Sequence, residues 1–186
     1  YNSFTVLRAR FDKWLGQQVR AAGALIIPET VVESPIMEGN QVVGVHTGRP
    51  DGDLYADVVV AADGVNSLLA QKAGLRKEVP PSQAALAVKE VIALPREVIQ
   101  DRFGLTGDQG ATIELYADAS WGMVGTAFIY TNRESLSVGV GALISQLVER
   151  QVRPNDLIEH FKSHPMIAPL LEGGEVREYL AHLIPE

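Results

Sequence analysis

Asp57-Val-Val-Val-Ala-Ala-Asp-Gly-Val-Asn-Ser67 decides how the rest of the chain is read. Within it, Val58 to Ala62 is a short apolar run rich in β-branched residues, with no polar alternation. Such a run predicts a strand buried on both faces. Asp63-Gly64 then ends it abruptly. In open α/β sheets, ligands bind outside the carboxyl ends of strands, so a carboxylate and a Gly stand where a ligand is expected. Asp-Gly also turns well in its own right, which leaves an ordinary turn as the other reading.

Upstream of this run, Phe4-Thr-Val-Leu7 reads as a short strand. Residues Ala9 to Ala22 carry a helix pattern, with Phe11, Trp14, Leu15, Val19 and Ala22 recurring at spacings of three and four and Gly23 as the stop. Ala24 to Ile27 reads as another strand. Thr30 to Met37 and Gln41 to Thr47 flank Glu38-Gly-Asn40 and predict a hairpin, and Arg49-Pro-Asp-Gly52 predicts a second turn. A helix between strands, followed by a small meander and a further strand, implies a crossover in a partly parallel sheet.

Downstream, Val79-Pro-Pro-Ser82 marks a boundary. Beyond it the pattern is mostly β. Strands are predicted over Leu86 to Ala93, Ala111 to Tyr116, Gly122 to Thr131, Ser135 to Val140 and Glu175 to Leu183. Helices are predicted over Pro95 to Arg102, Ile144 to Arg150 and Asn155 to Lys162, the last with Leu157, Ile158 and Phe161 on one face and Asn155 as a cap. Gly104 to Gly110 is a loop. His164-Pro165 ends the third helix.

The 186 residues are 46% hydrophobic and 21% charged, as in an ordinary globular protein with room for one large domain or two small ones. Net charge is -7, and no basic stripe interleaved with aromatics is present, which argues against nucleic-acid binding. The absence of Cys excludes disulfides, thiolate metal sites, a Cys nucleophile and Cys-ligated iron–sulfur clusters within this chain. No apolar run is long enough to span a bilayer. The chain starts at Tyr-Asn-Ser-Phe with neither an initiator Met nor a signal pattern, and is expected to be a piece of a longer protein.

Several motifs invite chemistry. Gly139-Val-Gly141 lacks the third Gly of a phosphate loop and does not open a βαβ unit, so it reads as structural. Asp51, Asp53 and Asp57 lack the Gly and closing Glu of a calcium loop. His46, His160, His164 and His182 have no ligand spacing with a third donor, so no metal site is expected. Ser67 has no well-placed His and reads as a turn or helix cap. Arg8, between a strand and a helix, suits either a phosphate contact or a surface salt bridge. Lys89-Glu90 lies in an apolar strand. Neighbours on a strand point to opposite faces, so one of the two must turn inward and find a partner, unless the strand is a charge-protected edge.

A resemblance rests on several of these segments together. Val6-Leu-Arg-Ala-Arg-Phe-Asp-Lys-Trp-Leu15, Ala22-Gly-Ala24, Thr30-Val-Val32 and Ala61-Ala-Asp-Gly-Val-Asn-Ser67 resemble the middle of flavoprotein oxidoreductases with a glutathione-reductase-type FAD domain. Val88-Lys-Glu-Val-Ile-Ala-Leu-Pro95, Phe128-Ile-Tyr-Thr-Asn132, Phe161-Lys-Ser-His-Pro165 and Leu171-Glu-Gly-Gly174 resemble the FixC branch, related to electron transfer flavoprotein–quinone oxidoreductases and, more distantly, to geranylgeranyl reductases. The resemblance covers essentially the whole chain.

It implies a longer protein. There, an N-terminal Gly loop binds the ADP half of FAD and a C-terminal segment meets the flavin. It implies FAD contacts at Arg8, at the backbone around Val31, and at Ala62, Asp63 and Gly64, and it implies no catalytic acid or base. Related hydroxylases carry Arg where this chain has Ala70, which fits electrons arriving from a flavoprotein better than from a nicotinamide. Any iron–sulfur cluster would sit on a separate ferredoxin-like partner.

The expected fold is therefore α/β plus α+β. A partial glutathione-reductase-type FAD-binding domain is expected over 1–78, and a mainly antiparallel substrate- or quinone-facing domain with helices over 79–186. The implied function is electron transfer from an electron-transfer flavoprotein through FAD to a quinone or ferredoxin-like acceptor. The expected location is cytoplasmic, with peripheral contact to the inner face of the membrane left open. The alternatives are a geranylgeranyl-reductase-like enzyme and, for this piece alone, a cofactor-free interaction module. An incomplete FAD domain exposes sheet edges, so self-association is expected as well.

Overall fold

The computed structural model describes residues 4–185. They group into two compact units: Asp12–Val79, and the residues through Phe11 together with those from Pro80 onward.

In the first unit, helix α1 (Arg8–Ala21, its first turn grouping with the other unit) ends where Gly23 takes up φ 89, with the Gly23 and Ala24 amides donating to the Arg20 and Val19 carbonyls. Only Gly adopts that left-handed turn without strain. Strands β1 (Val32–Glu38), β2 (Gln41–Thr47) and β3 (Leu54–Tyr55) form an antiparallel sheet in that order, closed at Glu38 and Gln41 by the Gly39-Asn40 turn. Pro35 is tolerated because β1 is an edge strand, where a missing N–H costs no ladder bond. Helix α2 (Leu68–Lys72) follows.

Three predicted strands are corrected here. Phe4–Leu7, Ala24–Ile27 and Val58–Ala62 are irregular, and every strand pairing among the described residues is antiparallel. Val58 and Val60 are 75% and 80% exposed. A strand exists only through its ladder, because its N–H and C=O groups need partners. Apolar composition supplies no partner strand, and none is present among the described residues. The apolar stripe of α1 is likewise half open: Trp14 is 53% and Leu15 43% exposed, and no residue of the helix is buried.

The second unit is a five-stranded antiparallel sheet. It is built from β4 (Ala84–Ala93), β5 (Thr112–Leu115), β6 (Gly125–Thr131), β7 (Ser135–Leu143) and β8 (Glu175–Pro185), in spatial order β5-β6-β7-β4-β8. Helices α3 (Arg96–Phe103), α4 (Ile144–Glu149), α5 (Pro154–Ser163) and α6 (Ala168–Leu171) complete it. In β4, β6 and β7 alternate residues form one apolar face: Val88 and Ile92, Ala127 and Ile129, and Leu136, Val138 and Val140. They pack with Leu147 of α4 and Leu157, Ile158 and Phe161 of α5. Burying each such side chain contributes roughly 1.5–3 kcal/mol, so this face holds the unit together. Pro154 starts α5 at its first turn, and Arg153, not Asn155, occupies the cap position, without a side-chain cap bond. Thr5 tethers the irregular N-terminal segment through a 2.6 Å hydrogen bond from its hydroxyl to the Thr131 carbonyl.

Candidate functional site

The segment at Asp63-Gly64 is built by a tight turn rather than by a strand end. Gly64 has φ 74, and its carbonyl accepts from the Ser67 amide at 3.2 Å and the Ser67 hydroxyl at 2.7 Å. Ser67 occupies the cap position of α2 at φ 46, but its side chain makes no cap bond. Asp63 caps the helix instead: its Oδ2 accepts the Leu69 amide at 2.7 Å. The carboxylate that sequence marks as a ligand group thus already satisfies one of the free amides of a helix start. Asp63→Ala is expected to cost about 1 kcal/mol locally. Hydrogen exchange at the Leu69 amide measures it, and unchanged protection there would contradict the capping role.

Ala62, Asp63 and Gly64 are all exposed, and a side-chain carbon added at Gly64 meets nothing within 4 Å. The open backbone beside a left-handed Gly fits a group that approaches the main chain closely. Val31 is 69% exposed just before β1, and its carbonyl accepts the Gly48 amide at 3.0 Å. Arg8 is exposed at the first position of α1, and that turn groups with the sheet unit, whereas Val31 and Ala62–Gly64 lie in the other unit.

The acidic turn does not gather its carboxylates. Asp53 Oδ1 lies 2.8 Å from His46 Nδ1, and Asp51 sits at φ 53 in the turn. No group of three or more metal-ligating side chains is placed to hold an ion among the described residues.

The Lys89-Glu90 doublet resolves as strand geometry requires. β4 lies between β7 and β8, so it is no edge. Glu90 turns toward the helices and is 6% exposed. Lys162 of α5 reaches it, with Nζ 2.9 Å from Glu90 Oε2 and 2.6 Å from Glu159 Oε1. Burial opposes the Lys162 charge, but its hydrogen bonds to Glu159 and Glu90 outweigh that and raise its pKa. Tyr179 stands opposite Glu90 on β8 and donates its hydroxyl to Asn155 Oδ1. Burial first, and the Glu90 charge second, raise its pKa as well. Sequence did not name Lys162 as the partner. The signal was its position four residues after buried Ile158, at the margin of the apolar stripe.

Lys89 takes the opposite face, in register with Gly139 and Leu180. Phe128 and Tyr130, two apart on β6, share that face and stack with centroids 4.5 Å apart and planes 18° from parallel. Phe128 lies over Gly139, where no other residue leaves room for the ring. Burial, then the Glu114 charge, raises the Tyr130 pKa. This face presents a flat aromatic pair and a lysine ammonium on a floor of small residues.

No family model matches the chain. Across all 186 residues it is 50% identical to Protein FixC of Bradyrhizobium diazoefficiens, spanning 43% of that protein's length. It is 44% identical over 184 residues, 99% of this chain, to the probable electron transfer flavoprotein-quinone oxidoreductase YdiS of Escherichia coli (strain K12), covering 42% of it. FixC of the same strain is 43% identical over 99% of this chain, again covering 42% of the relative. Over essentially its whole length the chain is similar to proteins named FixC and electron transfer flavoprotein-quinone oxidoreductase, and it spans less than half of their length.

Among solved structures, a geranylgeranyl bacteriochlorophyll reductase-like protein from Thermoplasma acidophilum superposes with a TM-score of 0.73 at 21% identity. That match covers 96% of this chain and 42% of that one. The flavin-dependent brominase Bmp2 superposes with a TM-score of 0.74 at 18% identity, over 97% of this chain and 44% of that one. These likenesses show a shared fold, mixed α/β with antiparallel sheets.

Proposed function

We propose that this chain is the central part of an FAD-dependent oxidoreductase that passes electrons from an electron-transfer flavoprotein, through FAD, to a quinone or a ferredoxin-like acceptor. The observation that carries this reading is the 50% identity to FixC over the entire chain, with YdiS close behind. FAD, when bound, supplies the redox chemistry, and the protein binds and orients it.

In this reading the exposed backbone of Ala62, Asp63 and Gly64 approaches the nucleotide end of FAD. The main chain at Val31 lies by the adenine, and Arg8 contacts the cofactor. Asp63 then has two tasks, since one of its oxygens caps α2. The domain division remains 1–78 for the nucleotide part and 79–186 for the acceptor-facing part. The Phe128–Tyr130 pair with Lys89 is the acceptor-facing surface: it offers a planar acceptor a stacking partner and a cation beside its carbonyl oxygens. No acid or base is required of the chain for electron transfer. Among the described residues no helix is long and apolar enough to cross a membrane.

Reduction of an isoprenoid double bond is the weaker reading, because it rests on fold likeness at 21% identity. Bound flavin in the protein extended to the length of its relatives tests the proposal. Flavin absorbance that bleaches with reduced electron-transfer flavoprotein and returns with quinone supports it, and a folded, flavin-free protein overturns it.

A further inference from the structure

The Asp63-Gly64 turn is held from beyond the helix that follows it. α2 has only five residues, about 7 Å of helix. It ends where Gly74 takes up φ 72, and the Gly74 and Leu75 amides donate to the Gln71 and Ala70 carbonyls. This crossed pair of bonds reverses the chain after a helix. Arg76 therefore runs back along α2, and its Nη1 donates to the Ser67 hydroxyl at the helix start. Ala70 leaves α2 without the Arg of related hydroxylases, and the cation that reaches the start of the helix is Arg76.

The single proton of a hydroxyl sets the direction of these bonds. Ser67 gives that proton to the Gly64 carbonyl at 2.7 Å, so toward Arg76 it can only accept. A cation on the oxygen strengthens the bond that the hydroxyl donates. Ser67 is buried and holds a left-handed φ of 46, a conformation that persists only where its surroundings fix it. A trans peptide unit is planar, so the Gly64 carbonyl and the Val65 N–H point in opposite directions. Pinning the carbonyl to Ser67 turns the Val65 N–H to the other side, where it has no acceptor among the described residues.

We propose that Arg76 is a positioning residue for the cofactor: acting through Ser67, it locks the Gly64–Val65 peptide so that the Val65 N–H meets a phosphate oxygen of FAD. The inference rests on the proposed FAD site at Ala62, Asp63 and Gly64, and adds to it a donor and the residue that aims that donor. A backbone N–H binds a phosphate oxygen through a charge-assisted hydrogen bond, and the strength of that bond depends on its angle. A peptide free to turn therefore holds the phosphate less well.

The test uses the protein extended to the length of its FixC relatives, stripped of flavin and titrated with FAD, with circular dichroism confirming each fold. Arg76→Met is expected to weaken FAD binding roughly tenfold, and Ser67→Ala likewise. The two act in series, so the double variant is expected to bind no more weakly than Ser67→Ala alone. Arg76→Lys keeps a cation for the hydroxyl and is expected to stay near the parent. Lys72→Met breaks a different tie of α2, to the Glu33 carbonyl, and is expected to leave the affinity unchanged. Hydrogen exchange at the Val65 amide is expected to slow when FAD binds the parent, and to slow much less in Arg76→Met. A folded parent that binds no FAD overturns the FAD reading and this inference with it. A parent that binds FAD, with Arg76→Met equally tight, overturns this inference alone. So does an equal loss in Lys72→Met, an additive loss in the double variant, or Val65 exchange indifferent to FAD.

Discussion

Gly139→Ala is expected to lower the stability of the sheet unit by about 3 kcal/mol. A side-chain carbon at this position falls on the Phe128 ring and within 2.9 Å of the Val88 carbonyl oxygen. Phe128 is fixed by its stack with Tyr130, and the carbonyl belongs to the β4 ladder, so neither yields cheaply. Gly139 is also at the centre of β7, a strand whose next two residues, Val140 and Gly141, are buried as well. Urea unfolding followed by circular dichroism reads the loss. Phe128→Ala in the same background removes the clash and is expected to recover part of it. A Gly139→Ala variant as stable as the parent would show that the ring is not seated there. The Gly139-Val-Gly141 motif, which fails as a phosphate loop, thus makes sense as a floor on which an aromatic side chain lies.

Lys162→Met is expected to destabilise by about 3 kcal/mol, because it leaves the Glu90 carboxylate buried without its cation. Desolvating a carboxylate is costly, and the Lys162 ammonium is what offsets it. Replacing both partners, Glu90→Leu with Lys162→Met, removes the charge together with its need. The double variant is expected to return close to the parent, since a buried ion pair and an apolar pair of similar volume often balance. Thermal unfolding of the two singles and the double closes the cycle. Equal stability of the parent and Lys162→Met would contradict the pairing. The pair also ties α5 to the centre of the sheet at a point where Val88 and Ile92 flank it on β4.

Most of the second unit is legible because its signals are local. Strand alternation, turns between short runs and the Leu157, Ile158, Phe161 stripe each lie within a few residues, and the observed elements match them to within about three residues. The hairpin around Gly39-Asn40 is legible for the same reason. What sequence could not supply is pairing at a distance. Val58–Ala62 has the composition of a buried strand, and without a neighbouring strand it stays irregular and exposed. The partner of Glu90 lies 72 residues away on a helix, and periodicity says which residues face inward but not what they meet. Asn155 looks like a cap by type, yet Pro154 starts the helix and Asn155 accepts the Tyr179 hydroxyl instead. At Asp63 the sequence marks a carboxylate as a ligand group, while the structure shows one of its oxygens committed to α2.

The exposed apolar surface of the first unit fits the same account. Its helix stripe and extended segments have the composition of a doubly covered sheet layer, and the FixC relatives are more than twice as long as this chain. In the proposed whole protein, additional strands and helices cover them and complete the FAD site.

The most direct measurement is the visible absorbance spectrum of the protein extended to the length of its FixC relatives, purified beside the 186-residue chain. The account predicts bound FAD in the extended protein and little or none in the shorter chain, because on the proposed reading the 186 residues carry only part of the FAD site. A well-folded extended protein with no flavin band, before or after incubation with FAD, would contradict it.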